Sequence, residues 1–294
     1  MEKNGQCIDL VSEVKQQEGV NRSVVPIWKN GLTGFQIKVI ALVLMVFDHI
    51  HYFFEYTGQV PTLFSQLGRI SGYLFLYMVL EGFSHTRSRK KYIGRMYGMS
   101  VLMGTINYCI ATFGLSRPDG FYPINNIFAT FTLILILVEG IECLKQKKRV
   151  QGIAFLAVGI LPNCLAYLLP MSMMPVLGLV MTTVLPLPMF VEGGIFYVIA
   201  GLILYGFKKR KVLQISVFGI FTLLWTIGMP LLMGIDLTVA NLFTTYYEWI
   251  GIFAIPFMCL YNGQRGRSMK GFFYAFYPVH VYVFYILSFI FFKG

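Results

Sequence analysis

The stretch LVLMVFDHIHYFF, Leu42–Phe54, sets an aspartate and two histidines inside an otherwise apolar run. Ionisable groups are costly in hydrocarbon, so residues of this kind are buried in a polar cavity, paired, or used. The surrounding run is about as long as the 20 residues an α-helix needs to cross a bilayer, and similar runs recur along the chain. Composition agrees: 56% of the 294 residues are hydrophobic and 13% are charged, with a mean hydropathy of +0.67. A soluble domain of this length could not bury so much apolar surface. The expected fold is all-α, a polytopic helical membrane protein in a single integral membrane unit over 31–294.

About nine transmembrane helices (eight to ten) are expected, at 35–54, 67–84, 92–114, 124–144, 150–169, 188–207, 212–233, 240–261 and 272–292. Residues 1–30 mix Lys3, Lys15 and Arg22 with Glu2, Asp9, Glu13 and Glu18 and contain no apolar core. They read as a soluble, mobile lead-in rather than a signal peptide. Trp28 then suits the membrane interface. Pro170 to Pro188 is apolar but carries four prolines. Counting it as a full span would push the basic KKRK loop outside, so a re-entrant or outer-surface segment is expected there.

The formal charge of +11 is explained by topology and calls for no nucleic acid. With the amino terminus cytoplasmic, the loops HTRSRKKYIGR, KQKKR, KKRK and NGQRGRSMK all fall inside. Together with Lys3, Lys15, Arg22, Lys29 and Lys38 they hold 21 of the 24 lysines and arginines, as the positive-inside rule requires. Only Arg69, Arg117 and Lys293 lie elsewhere. Cys7, Cys109, Cys143, Cys164 and Cys259 show neither CxxC nor metal-ligand spacing, so apolar packing is expected, with neither a disulfide framework nor a metal.

At about 1.5 Å per residue, Asp48 and His49 lie roughly 20 Å into the first span, just past the midplane. Arg69, on the returning helix, can share their level and pair with Asp48. Being sequence neighbours, Asp48 and His49 diverge by about 100°, so a direct bond between them is not guaranteed. Asp48 can instead orient His280 or pair with Arg69. His280 is about 12 Å into the last span, one turn after the disturbance at Pro278. Each polar residue has a purely structural reading beside the functional one. An Asp48–Arg69 ion pair holds helices together, a membrane histidine can be hydrogen-bonding glue, and Glu81 can pair at the surface with Arg87 or Lys90. His51 reads as structural. Gly94 and Gly98, a GxxxG in the third span, and Gly193, Gly194 and Gly201 in the sixth suggest close helix packing, while Glu192 and Glu248 have no evident partner. Asn107, Asn125 and Asn126 either line an acceptor pocket or bond across helices. Histidine is the side chain whose ordinary pKa lies nearest neutrality, which suits it to take a proton and return it.

KVIALVLMVFDHI, LGRISGYLFLYMVLEGFSHTRSRKKYIGRM, INNIFATFTLILI and FYAFYPVHVYVFYIL together resemble the TraX family of bacterial membrane proteins, named for a protein that acetylates the amino terminus of pilin. The pattern is an Asp-His in the first helix, a Gly-Arg leading the second, EG..HTRS..KY..R after it, and YP.H near the carboxyl end. It covers about a third of the chain, and 150–260 contributes little. GTINY, from Gly104, departs from the acidic stretch expected there and leaves the acceptor open. His51 also lies outside the pattern. The resemblance implies an acyltransferase that moves acetyl from cytosolic acetyl-CoA to an amine or hydroxyl of an envelope acceptor: a pilin-like amino terminus, polysaccharide, lipid or peptide. Asp48, His49, Arg69, Glu81, Arg87 and His280 match it.

In this reading His49 is the general base, Asp48 its orienter or helix partner, and His280 a second acid/base or acceptor-positioning group. Arg69 pairs with Asp48 or steadies a developing oxyanion. The CoA phosphates would meet Arg87, Arg89, Lys90, Lys91 and Arg95 beside Glu81, arginine being matched to phosphate. That loop equally serves as topology signal and lipid-headgroup contact. The expected setting is the bacterial plasma membrane, in contact with its lipids; the oligomeric state stays open, a homodimer included. The rival from another class is a proton-coupled transporter or lipid-linked carrier flippase with Asp48, His49 and Glu248 as relay, although no internal repeat supports it. A third reading is a non-catalytic membrane scaffold.

Overall fold

The computed structural model describes residues 31–124, 126–168, 183–184 and 191–292. The lead-in 1–30, Asn125 and all of the proline-broken segment except Thr183 and Val184 lie outside them. The described regular elements are helical, apart from one isolated parallel bridge between Leu32 and Tyr261. They are α1 (Gly34–Phe54), α2 (Leu63–Ser84), α3 (Arg89–Thr112), α4 (Ile127–Lys145), α5 (Arg149–Leu168), α6 (Gly194–Gly206), α7 (Lys211–Leu223), α8 (Met229–Leu232), α9 (Val239–Thr244), α10 (Ala254–Leu260) and α11 (Lys270–Phe291). A π turn, Leu224–Gly228, joins α7 to α8, and a 3-10 stretch, Tyr247–Phe253, leads into α10.

Five helical stretches are long and apolar enough to cross a bilayer: Gly34–Thr57, Leu63–Ser84, Ile127–Lys145, Lys211–Leu232 and Gly271–Phe291. The other four expected spans differ in identifiable ways. α3 is 24 residues long but is diluted by its basic first turns and by Asn107. The apolar parts around α5, α6 and α10 are shorter, at Arg149–Pro162, Gly194–Gly206 and Tyr247–Leu260. The stretch expected as one helix over 240–261 is broken into α9, the 3-10 stretch and α10, with Glu248 in the 3-10 part.

α1 begins where its sequence says it should. Thr33 and Gln36 form a reciprocal capping box, the Thr33 N–H donating to Gln36 Oε1 at 2.8 Å, which satisfies helix-end groups that would otherwise lack partners. The Gly34 and Phe35 amides donate to the carbonyls of Gln264 and Arg265, tying the start of α1 to the loop before α11. Lys211 Nζ donates to the Cys259 and Tyr261 carbonyls, Lys208 Nζ reaches Ser84 Oγ at 3.5 Å, and Arg89 donates to Glu139 at 3.3 Å. The four basic loops therefore gather at one end of the bundle. At the other end Arg117 is buried. Its guanidinium donates to the Phe53 carbonyl at 3.0 Å and lies over the Tyr56 and Phe121 rings. It also binds Asp119, and these hydrogen bonds hold the Asp119 carboxyl below the usual carboxylate range.

Close approach of helices occurs at glycines other than the GxxxG pair, Gly201 among them, where a Cβ would press on Ile134 of α4. Gly94 and Gly98 face open space, so their spacing is not a packing motif here. Gly68 and Gly72 of α2 do that work: a Cβ at Gly68 would collide with the Asp48 carboxylate, and one at Gly72 with the Tyr197 hydroxyl. Ser71 Oγ donates to the Ala41 carbonyl at 2.7 Å across the same seam. Gly68→Ala is accordingly expected to cost about 1–3 kcal/mol, the usual range for overpacking, and to push Asp48 away from Arg69. Thermal unfolding of the detergent-solubilised variant measures this.

Candidate functional site

One face of α1 builds the wall of a cavity of about 1040 Å³. Lys38, Leu42, Met45, His49 and Tyr52 line it in turn, alternating steps of four and three residues that keep one helix face in register. At 1.5 Å per residue, the 21 residues of α1 span about 30 Å, the thickness of a bilayer's hydrocarbon core. The lining begins among cations at the basic-loop end, with Lys38, Arg95, Arg265 and Arg267, and continues past Asp48 and His49 to Glu55 and Thr245.

His49 is buried against the cavity wall. Its Nδ1 lies 2.9 Å from the Met45 carbonyl. A carbonyl only accepts, so Nδ1 carries the hydrogen, and in neutral imidazole Nε2 is left with a lone pair. Asp48 Oδ2 is farther from Nδ1, at 3.7 Å. The backbone rather than the neighbouring carboxylate therefore fixes the ring. Phe53, Tyr277 and His280 surround it, with ring centroids at 6.2, 5.9 and 4.7 Å.

His280 repeats this arrangement from α11. Its Nδ1 is 2.8 Å from the Phe276 carbonyl, its ring stacks on Phe276, and its Nε2 is buried without a partner. It packs behind His49 and does not line the cavity, whereas Phe276 and Tyr277 do.

Asp48 pairs with α2 instead. Its Oδ1 accepts from Arg69 Nη2 at 3.0 Å and from Ser65 Oγ at 3.4 Å. The other arm of Arg69, Nη1, donates to Glu248 Oε1 at 2.7 Å. One guanidinium thus joins α1, α2 and the 3-10 stretch, and Glu248 gains the partner its sequence position did not reveal. With both arms taken by carboxylates, Arg69 is bound as a clamp, not as an open oxyanion donor.

Glu192, just before α6, completes the group. Its carboxylate accepts from the Tyr277 hydroxyl at 3.2 Å, and its backbone carbonyl accepts from Thr130 Oγ1 at 2.8 Å. Gly193 follows in the left-handed region, φ +73°, where a Cβ would strike the Tyr197 ring. Only glycine adopts that turn without strain, and it aims Glu192 into the cavity.

Of the five loop residues expected to hold phosphate, Arg95 lines the cavity and the other four do not. Arg89 faces Glu139 and Glu142, at 3.3 and 3.8 Å, and stands over the Phe83 ring. Arg87, Lys90 and Lys91 do not line the cavity. Glu81 does line it, but the side chain beside its carboxylate is His85 at 3.6 Å, in place of the expected Arg87 or Lys90. The cations at the mouth come from three elements distant in sequence. Lys38 belongs to α1, Arg95 to the second turn of α3, and Arg265 and Arg267 to the loop before α11. The basic loop NGQRGRSMK was visible in sequence; its meeting with Lys38 was not. Asn107 accepts from Tyr282 at 3.0 Å and Asn126 donates to the Ser100 carbonyl at 2.8 Å, so both serve as links between helices. Among the described residues, His, Cys, Asp and Glu form no group of three placed to hold a metal.

The family model described as TraX protein matches residues 33–288. The chain belongs to the TraX family. A curated relative of this TraX chain is the probable fimbrial assembly protein FimC, serogroup H1, of Dichelobacter nodosus. It is 27% identical over 256 residues, which cover 85% of this chain and 93% of the relative. No solved structure matches. Family membership and the five apolar helices together make this a membrane protein. Its cavity lies against the helix that carries the Asp-His pair.

Proposed function

We propose that this TraX protein is an acetyltransferase that works inside the bacterial plasma membrane. It would move acetyl from cytosolic acetyl-CoA to an amine presented from the other side. The observation that carries the reading is His49: a buried imidazole whose Nδ1 is tied down and whose Nε2 keeps a lone pair, on the wall of a cavity with cations at one end. In this reading the basic-loop end is cytoplasmic, following the positive-inside rule. If the shorter and more polar helices also cross, the chain makes about nine passes with its amino terminus inside.

Acetyl-CoA is treated as a co-substrate, and its phosphates suit the mouth formed by Lys38, Arg95, Arg265 and Arg267. From Lys38 to His49 is 11 residues of α1, about 16 Å at 1.5 Å per residue, a distance for the pantetheine arm to cover. Beyond His49 the character reverses, with Asp48, Glu192 and Glu248 standing around the one guanidinium of Arg69. Three carboxylates to one cation favour an ammonium over a neutral hydroxyl. The relative's printed name, a fimbrial assembly protein, favours a fimbrial subunit as the acceptor.

The experiment uses inside-out vesicles containing the protein, acetyl-labelled acetyl-CoA and native envelope proteins. Label is expected in the protein fraction, bound to amino groups. Charge removal at the mouth, Arg265→Ala with Arg267→Ala, is expected to raise the KM for acetyl-CoA about tenfold or more with little change in kcat, the pattern of lost ground-state binding. Absence of transfer and of CoA binding by folded protein would sink the proposal. Uptake of a solute driven by a proton gradient would replace it with the transporter.

A further inference from the structure

We infer that Glu192 is a second proton acceptor of the reaction centre, taking the first proton from an ammonium acceptor, while His49 takes the second. The inference rests on the acetyltransferase reading and deepens it.

An acceptor drawn into a carboxylate-rich chamber arrives as an ammonium, whose nitrogen has no lone pair. It must lose one proton before it can attack the thioester and another before the product is a neutral amide. The balance is fixed. The C–N bond forms, the C–S bond breaks, and two protons leave nitrogen. One protonates the departing thiolate to give CoA thiol; the other is released. His49 Nε2 accepts one proton at a time, and that proton is the one it hands to the thiolate. The earlier proton needs a different base, accessible from the cavity and close to His49.

Glu192 fits this description on three grounds. It lines the cavity, the turn at Gly193 and the Thr130 bond hold its backbone, and Tyr277, which donates to its Oε2, packs edge-on against His49. Of the other carboxylates that line the cavity, Asp48 and Glu248 are both bound to Arg69, Glu81 lies beside His85, and Glu55 caps the far end of α1, six residues past His49. The titratable and charged groups facing Glu192 are Asp48 and Tyr52 of α1, Arg69 of α2, Tyr197 of α6 and Tyr277 of α11. None of these is a better base: the carboxylate is paired, the guanidinium is a cation, and the phenols are acids.

The test uses the full-length protein in detergent, acetyl-CoA, and as probe an apolar peptide with a free amino terminus, whose α-amino pKa is about 8. Glu192→Gln is expected to turn over about 100-fold more slowly than wild type at pH 6, in line with the loss of one general base. Its rate should climb roughly tenfold per pH unit toward pH 8, as solution supplies the free amine, while the wild-type rate climbs less steeply. Equal acetyl-CoA binding by the two proteins shows that the variant is folded. If the Gln variant does not fold, Glu192→Asp decides, with a lower rate on the wild-type profile expected. Wild-type turnover and profile in Glu192→Gln, a loss equal at every pH, or a tenfold rise per pH unit in Glu192→Asp would overturn the inference alone. No transfer by wild type to the peptide or to native envelope protein would overturn the acetyltransferase reading itself.

Discussion

His49→Ala is expected to lower acetyl transfer by about 10²–10⁴-fold, the range for removing a positioned general base. The argument is one of tautomer and access. Because the Met45 carbonyl takes the Nδ1 hydrogen, the basic lone pair is held at Nε2, on a ring that lines the cavity. Alanine also removes a ring packed against Phe53, Tyr277 and His280, so part of its effect would be lost packing. His49→Asn separates the two causes. An Asn amide can still donate to the Met45 carbonyl but offers no base, so it should fold better than the alanine variant and be as inactive. Turnover is followed by label transfer, and integrity by acetyl-CoA binding. A His49→Asn protein that works at the wild-type rate would remove His49 from the chemistry.

The helical class was legible because membrane helices declare themselves through length and apolarity alone. The gathering of basic loops at one end was legible because charge asymmetry is a one-dimensional property. Arg69 beside Asp48 was also within reach, since two consecutive antiparallel helices of similar length bring equal depths together. Glu192 and Glu248 found their partners, Tyr277 and Arg69, 85 and 179 residues away, and nothing in local sequence records such a pairing. Of the residues expected on the phosphate side, Arg95 lines the cavity but Arg87, Arg89, Lys90 and Lys91 do not, for a related reason. Counting charges selects the densest run, Arg87 to Lys91, whereas a cavity mouth is set by which turns face inward. Arg89 turns instead toward the acidic end of α4. The glycines teach the same lesson: the spacing of Gly94 and Gly98 looked like a packing motif, yet neither meets another helix, whereas Gly68, Gly72 and Gly201 do.

Arg69→Met is expected to destabilise the protein by about 3 kcal/mol, near the low end of the cost of breaking a buried ion pair from one side. The low end applies because the Glu248 side chain is 46% exposed, whereas that of Asp48 is only 18% exposed. Water reaching Glu248 would soften its loss, but Asp48 would be left as an uncompensated charge inside the bundle. Lysine should recover only part of the difference, because a single ammonium cannot reproduce two arms that reach 3.0 and 2.7 Å to carboxylates on separate elements. The decisive variant removes all three charges, combining Arg69→Met with Asp48→Asn and Glu248→Gln. Since most of the single-variant cost is a stranded charge rather than a lost attraction, the triple variant should be more stable than Arg69→Met alone. Midpoints of thermal unfolding in detergent read both effects. A triple variant no more stable than Arg69→Met would mean that the clamp contributes through geometry, by holding the 3-10 stretch around Glu248 against α2. A midpoint unchanged in Arg69→Met would mean that water in the cavity already solvates Asp48, and that the clamp is dispensable for the fold.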